Sequence, residues 1–220
     1  MMRLWGRKNS INVQKVLWCL AELGLEEGVD FERIDAGLQF GKNRTPEFLT
    51  LNPNGTVPTL EDGDIVLWES NTIMRYLSQQ YDQKKRFSTD IASKFGSEKW
   101  LDWQLSTLWP SLRIVFLGLT RTPEDQRDYV LIKKLYQDTN QCLTLLDQNL
   151  ANQKYCSGNT FQIGDIALAL CVHRWLLLNT FFPERTGDRK QLANIDAWME
   201  RLYAQTQFTV VADKELNIVN

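Results

Sequence analysis
Ser10 and Asn12 stand in the run GRKNSINVQKVL (Gly6 to Leu17), where a short strand pattern, Met2 to Trp5, gives way to an amphipathic helix. A serine or asparagine at a helix start can cap the free backbone N–H groups. It can also join those groups and the positive end of the helix dipole in stabilising an anion. Glu69-Ser70 poses the same choice at the start of a second helix. There the serine hydroxyl and free N–H groups suit a carboxylate, while Glu69 offers an acceptor to an ammonium group. Val57-Pro58 is an ordinary loop feature unless its bond is cis. In that case the Val57 backbone is open at a sheet edge and can pair with a peptide-like ligand as an added strand.

Other chemistries lack their residues. His173 is the only histidine and lies on an otherwise apolar helix, so a packed, hydrogen-bonded core role is expected. That shortage argues against serine-hydrolase chemistry, which needs a base beside its nucleophile. Cys19, Cys142, Cys156 and Cys171 show neither CxxC spacing nor a nearby histidine pair. No metal and no disulfide framework are therefore expected, and a reducing cytoplasm is the simplest compartment. A formal net charge of -2 supplies no field to attract nucleic acid or an anionic membrane. No signal peptide is expected before the first strand, and no membrane span. The most apolar stretch, Ile163 to Phe182, is interrupted by Asp165, His173 and Arg174 and reads as a buried helix.

These residues need elements to position them, and 220 residues suffice for one large domain or two small ones. After the first strand, Val13, Val16, Leu17, Leu20 and Leu23 recur at helical spacing, and Gly24 signals a stop. Phe31 to Ile34 reads as a strand, and PEFLTLNP as a short helix with Pro46 in its first turn. TVPTLED and DIVLWE are strands joined at Asp62-Gly63-Asp64, a hairpin signal. Ser70 opens a helix whose Ile73, Tyr76 and Leu77 share a face. The order is β-α-β, then β-β-α. The charged stretch DQKKRFST reads as a linker. Beyond it, helical patterns run over Ile91 to Leu119, interrupted or bent at Pro110, then Pro123 to Leu150, Ile163 to Asn179 and Lys190 to Gln205. No element is assigned past Gln205.

The pieces NGTVP (Asn54 to Pro58), LWESNTIMRYL (Leu67 to Leu77) and FQIGDIALA (Phe161 to Ala169), in this order and spacing, resemble the cytosolic glutathione transferases. LWGRKNSINVQKV and GLTRTPEDQRD are similar to serine-type, theta-like bacterial members, most of all the glutathione transferase B group. The resemblance implies the glutathione transferase fold, an α+β thioredoxin-like N-terminal domain plus an all-α C-terminal domain. The expected boundaries are 1–81 for the glutathione-binding domain, 82–89 for the linker and 90–220 for the helical domain carrying the second-substrate site.

The resemblance also implies roles. Ser10 stabilises the glutathione thiolate, with the Asn12 amide aimed at the same sulfur; the competing role of either is plain capping. Val57, Glu69 and Ser70 hold the tripeptide backbone and its γ-glutamyl end. Related enzymes hold the glycine carboxylate with side chains at the positions of Asn43 and Gly55. Asn43 can donate hydrogen bonds, whereas Gly55 has no side chain to do so, and Lys42 or Arg44 would have to supply the charge. Cysteine-type relatives carry a reactive Cys in the first loop; Cys19 lies two turns into the helix and is expected to be inert packing. Trp109, Arg113, Phe116 and Leu117, with Arg121 beyond them, are the candidates for the second-substrate wall, alternatives being core packing and surface charge. Arg113 or Arg121 would attract a negatively charged electrophile such as a haloacid. Asp102 matches an acid that some relatives send across a dimer interface, an intrahelical or solvated role being the alternative. In FQIGD, Gln162 stands where a hydroxyl cap is usual, so a weaker helix start is expected, with structural Asp165 still bonding backbone N–H groups.

The expected function is a transferase that conjugates the glutathione thiolate to small soft electrophiles, haloacids among them. Glutathione is the co-substrate, no cofactor is needed, and a homodimer is expected. A glutathione-dependent disulfide reductase and a non-catalytic interaction module of the same fold are the alternatives.

Overall fold
The computed structural model describes residues 1–218. It divides into two compact units, Met1–Phe87 with Thr206–Val211, and Ser88–Gln205 with the residues from Ala212 onward. The last two positions of the expected helical domain, 219 and 220, lie outside the described residues.

In the first unit β1 (Met2–Trp5), β2 (Phe31–Ile34), β3 (Thr59–Asp62) and β4 (Ile65–Trp68) lie in the order β2-β1-β3-β4. β1 pairs parallel with β2 and antiparallel with β3, and β3 pairs antiparallel with β4. A parallel pair requires a crossover, which α1 (Ile11–Leu23) supplies. The two-residue link Gly63-Asp64 closes the expected hairpin. α2 (Pro46–Leu51) starts at Thr45, whose Oγ1 accepts from the Phe48 N–H at 3.3 Å. α3 (Ser70–Gln80) packs against α1. Val13, Val16 and Leu20 of α1 and Ile73, Met74 and Leu77 of α3 are buried, as are Leu4 and Leu60, which face each other across β1 and β3. Their helical spacing gathers them on one stripe, and each buried side chain of this kind contributes about 1.5–3 kcal/mol.

The first unit extends beyond residue 81. The Asp82 carboxylate accepts from the Arg86 and Phe87 N–H groups at 2.6 and 2.7 Å, and Phe87 is buried. Arg86 Nε donates to Glu22 at 2.6 Å. Of the charges in the expected linker, Asp82 and Arg86 are spent on these bonds, while Lys84 and Lys85 are exposed. Residues 206–211 return to the same unit. A 3₁₀ turn, Gln207–Val210, places buried Phe208 against Trp18 with ring centroids 4.6 Å apart. The Gln207 N–H reaches Glu22 Oε1 at 2.7 Å.

The second unit is helical. The expected helix over 91–119 is two helices, α4 (Ile91–Trp103) and α5 (Trp109–Thr120), joined by a π-helical turn, Gln104–Leu108. Pro110 is the second residue of α5, directly after the π-helical turn, so the helix changes its bonding pattern next to the proline and the backbone stays helical through it. The next helix starts later than Pro123. Residues 124–126 form a 3₁₀ turn, Arg127 and Asp128 are non-helical, and α6 (Tyr129–Leu150) begins where Asp128 accepts from the Leu131 N–H at 2.9 Å. α7 (Ile163–Phe181) is followed by the short α8 (Pro183–Thr186). α9 (Ala193–Gln205) starts three residues after Lys190. Asp147 of α6 accepts from the Asn194 and Ile195 N–H groups at 2.9 and 3.0 Å and so caps α9 from another helix.

α7 is long and apolar enough by composition to span a membrane, yet most of it is buried within the protein. Asp165 accepts from Gln162 N, Cys156 N and Trp198 Nε1 at 2.9, 2.8 and 3.1 Å. Burial outweighs these bonds and raises its pKa to about 6. The Gln162 side-chain oxygen turns to the Ser88 N–H at 3.2 Å, while the Gly164 N–H finds Ser97 Oγ at 2.8 Å. The start of α7 is thus held both locally, by the Asp165 carboxylate on the Gln162 N–H, and from Ser97 of α4, with no hydroxyl at the cap position. His173 is a bonded core residue, with Nε2 2.7 Å from the Asp213 carbonyl. Burial is the main cause lowering its pKa.

Candidate functional site
Ser10 is the N-cap residue of α1, with extended backbone, and its hydroxyl makes no capping bond. No acidic residue occupies the first turn. The positive end of the helix is therefore left for another group, with a nearly buried hydroxyl beside it. Gly6 makes this turn fit. Its φ is +153°, and a Cβ there would lie 2.4 Å from Val13 Cγ2 and 3.3 Å from Val57 Cβ. The loop before α1 and the loop carrying Val57 meet at that glycine.

The Val57-Pro58 bond is cis. Among the described residues, no partner bonds the Val57 N–H or C=O. Buried Asn52 sets the loop shape: its Nδ2 donates to Thr56 O and Thr59 Oγ1 at 3.0 and 3.1 Å, and its Oδ1 accepts from Asn54 N at 3.0 Å. Nothing in the motif comparison singled out Asn52; the buried-polar role of an asparagine in NPNG was the available signal.

Glu69 precedes α3 with φ +71°, a left-handed conformation costly for a residue with a Cβ. It is exposed, and Ser70 behind it is buried. The Ser70 hydroxyl donates to Asn12 Oδ1 at 3.4 Å. That bond brings the two helix starts together and leaves the Asn12 Nδ2 amide as its donor end.

Asn43 Nδ2 donates to the Gly55 carbonyl at 2.6 Å. Gly55 has φ +61°, and a Cβ there would sit 2.7 Å from an Arg44 guanidinium nitrogen. Arg44 thus lies where a side chain at position 55 would begin. The Arg7 guanidinium, which the motifs did not select, packs close to Gly37, itself beside the Val57 side chain. Cys19 is fully buried, and burial, with Glu22 and Asp82 nearby, pushes its thiol pKa up strongly.

In the helical unit, Trp109, Phe116 and Leu117 of α5 are half-buried and Arg113 is exposed. Arg121 follows the helix. Its guanidinium lies 5.5 Å from the Phe116 ring and donates to the Thr120 and Asn217 carbonyls. Burial, then the like charge of Arg174, lowers its pKa. Arg174, unnoticed in the motifs, stands 5.5 Å from the same ring and donates to Asp213 at 2.7 Å. Asp102 is exposed on α4.

The model of the glutathione S-transferase N-terminal domain matches residues 1–79. The chain is 40% identical over 204 residues to glutathione S-transferase GstB of Escherichia coli strain K12, covering 92% of this chain and 93% of that protein. The chain belongs to the glutathione S-transferase family. A glutathione S-transferase 3 of Zea mays is 31% identical over 213 residues, covering 94% of this chain and 91% of the relative. Among solved structures, the theta class glutathione S-transferase of Xanthomonas axonopodis pv. citri, with glutathione bound, superposes with a TM-score of 0.86. It shares 38% identity, with 98% of each chain covered. In this glutathione S-transferase family member, two helix starts, the unbonded Val57 backbone before β3 and a guanidinium at a glycine are gathered in the first unit.

Proposed function
We propose that the protein conjugates the glutathione thiolate to small soft electrophiles. The uncapped Ser10 hydroxyl at the start of α1 carries this reading. A thiol attacks as its thiolate, so a donor and a positive helix end that stabilise the anion increase its fraction. Ser10 donates to the sulfur, and the Asn12 Nδ2 amide assists. The open Val57 backbone pairs with the cysteinyl unit. Ser70 and the α3 N–H groups receive the γ-glutamyl carboxylate, and Glu69 its ammonium group. Asn43 and Arg44 hold the glycine carboxylate.

With an alkyl halide, the sulfur electron pair forms the C–S bond as the C–halogen bond breaks and halide leaves; no electron acceptor or metal enters that balance. Haloacids are the proposed anionic substrates, drawn by Arg113 or Arg121, with Trp109 in the wall around them. Exposed Ile65, Val66 and Trp68 on edge strand β4 suit a second copy, so a homodimer is proposed, to be checked by sedimentation velocity. The role is detoxification in a reducing cytoplasm.

The test is a glutathione-supported screen of haloacids, aryl halides, disulfides and peroxides. Thioether formation supports the reading, and activity confined to disulfides would replace it with a reductase. Failure to bind glutathione in calorimetry would make the chain an interaction module. Arg44→Ala should raise KM for glutathione several-fold while leaving γ-glutamylcysteine, which lacks the glycine, unaffected.

A further inference from the structure
The Lys15 side chain is completely buried, among the largest fully buried side chains of the protein. Lysine is rarely placed so, because removing an ammonium group from water is costly unless it is well bonded. Its Nζ donates to Asn71 Oδ1 at 3.2 Å, and Asn71 is buried as well. Lys15 lies one turn after Asn12 on α1, so the two share a helix face. Asn71 follows Ser70 directly in the first turn of α3. Two cross-links therefore run side by side between the helices, Ser70 to Asn12 at 3.4 Å and Lys15 to Asn71 at 3.2 Å.

We infer that Lys15 is a positioning residue for the glutathione site, fixing the start of α3 relative to the start of α1 through Asn71. This rests on the reading above, in which one helix start holds the thiolate and the other the γ-glutamyl carboxylate. α1 packs on α3, and Val13, Val16, Ile73 and Met74 on the two helices are buried, so apolar packing already holds the pair. Apolar packing allows small sliding, whereas a hydrogen bond buried away from water fixes direction and distance. The Ser70 link is part-buried and slightly longer, whereas the Lys15 link is fully buried, so the Lys15 link is the stiffer of the two. A tripeptide gripped at both ends transmits a small error in helix spacing directly to its sulfur.

Lys15→Met keeps the stem and removes the link. The expected result is a roughly tenfold rise in KM for glutathione and an upward shift of the bound-thiol pKa, read from thiolate absorbance against pH. Asn71→Leu should produce the same two changes, and the double variant should add nothing to either. Lys15→Arg should recover part of both. Leu23→Ala, in the last turn of α1, serves as control: it lowers thermal stability and leaves the thiol pKa unmoved. An unshifted thiol pKa and KM in Lys15→Met, or in Asn71→Leu where that variant alone folds, overturns the inference, as do additive effects. Calorimetry on the wild-type protein separates the two levels. Absent glutathione binding removes the functional reading and the inference together, whereas normal binding with unaltered variants removes only the positioning role.

Discussion

The Ser70 hydroxyl donates to Asn12 Oδ1 across 3.4 Å, joining the first residue of α3 to the second residue of α1 although 58 positions separate them in the chain. That bond ties together two helix N-termini that lie far apart in the chain.

Ser10→Ala should lower kcat/KM for conjugation by roughly a hundredfold and raise the pKa of the bound thiol. Because the hydroxyl makes no capping bond, thermal stability should barely change. A large loss of stability with intact activity would show that Ser10 is a cap after all. Asn12→Ala should give a smaller activity loss of the same kind.

Glu69 offers a trade of stability against binding. Its φ of +71° is costly with a side chain and free for glycine. Glu69→Gly should therefore stabilise the protein by roughly 1 kcal/mol in denaturant unfolding. The same variant should weaken glutathione binding, since the acceptor for the γ-glutamyl ammonium is gone. Unchanged affinity would remove Glu69 from the site.

Asp165 should leave a signature in stability against pH. Its pKa is about 6 in the folded protein, against an ordinary value of 3.8. Between these values the folded state holds a proton that the unfolded state has released, so this group's contribution to stability falls as pH rises from about 4 to about 6. Urea unfolding of wild type and Asp165→Asn across that range should show the slope in the wild type alone. Asp165→Asn should also be less stable throughout, because its amide NH₂ would face groups that are themselves donors.

Phe208→Ala should destabilise the first unit by about 3–5 kcal/mol, the usual cost of emptying a buried aromatic site. Trp18 fluorescence should change in the folded protein, since the two rings are 4.6 Å apart. No change in either would mean that the C-terminal segment does not support α1.

Much of this was legible from residue order. The strands and helices of the first unit follow from local apolar periodicity, from Asp62-Gly63-Asp64 and from Pro46, all signals acting over a few residues. Ser10, Val57-Pro58 and Glu69-Ser70 owe their expected roles to the resemblance to the glutathione transferases, and each stands at an element boundary. Boundaries set by distant partners were not legible. α9 waits for Asp147 of another helix. The start of α7 at Ile163 was legible, because Asp165 bonds the Gln162 N–H locally while Ser97 of α4 adds a distant bond. The start of α6 lies later than the expected Pro123 although its cap, Asp128, is local, because two capping signals follow each other there.

The sequence by itself determined the two kinds of unit, the motif positions and the chemistry those residue types can do, since spacing and composition act locally. Tertiary structure alone decided that the Ser10 hydroxyl is not spent as a cap, that Arg44 lies at Gly55 and that Asn52 shapes the Val57 loop. It also decided that residues 206–211 return to Trp18 and Glu22, and that a buried lysine sits between α1 and α3. These depend on which donor meets which acceptor once distant segments are packed, and no period of apolar residues encodes that pairing.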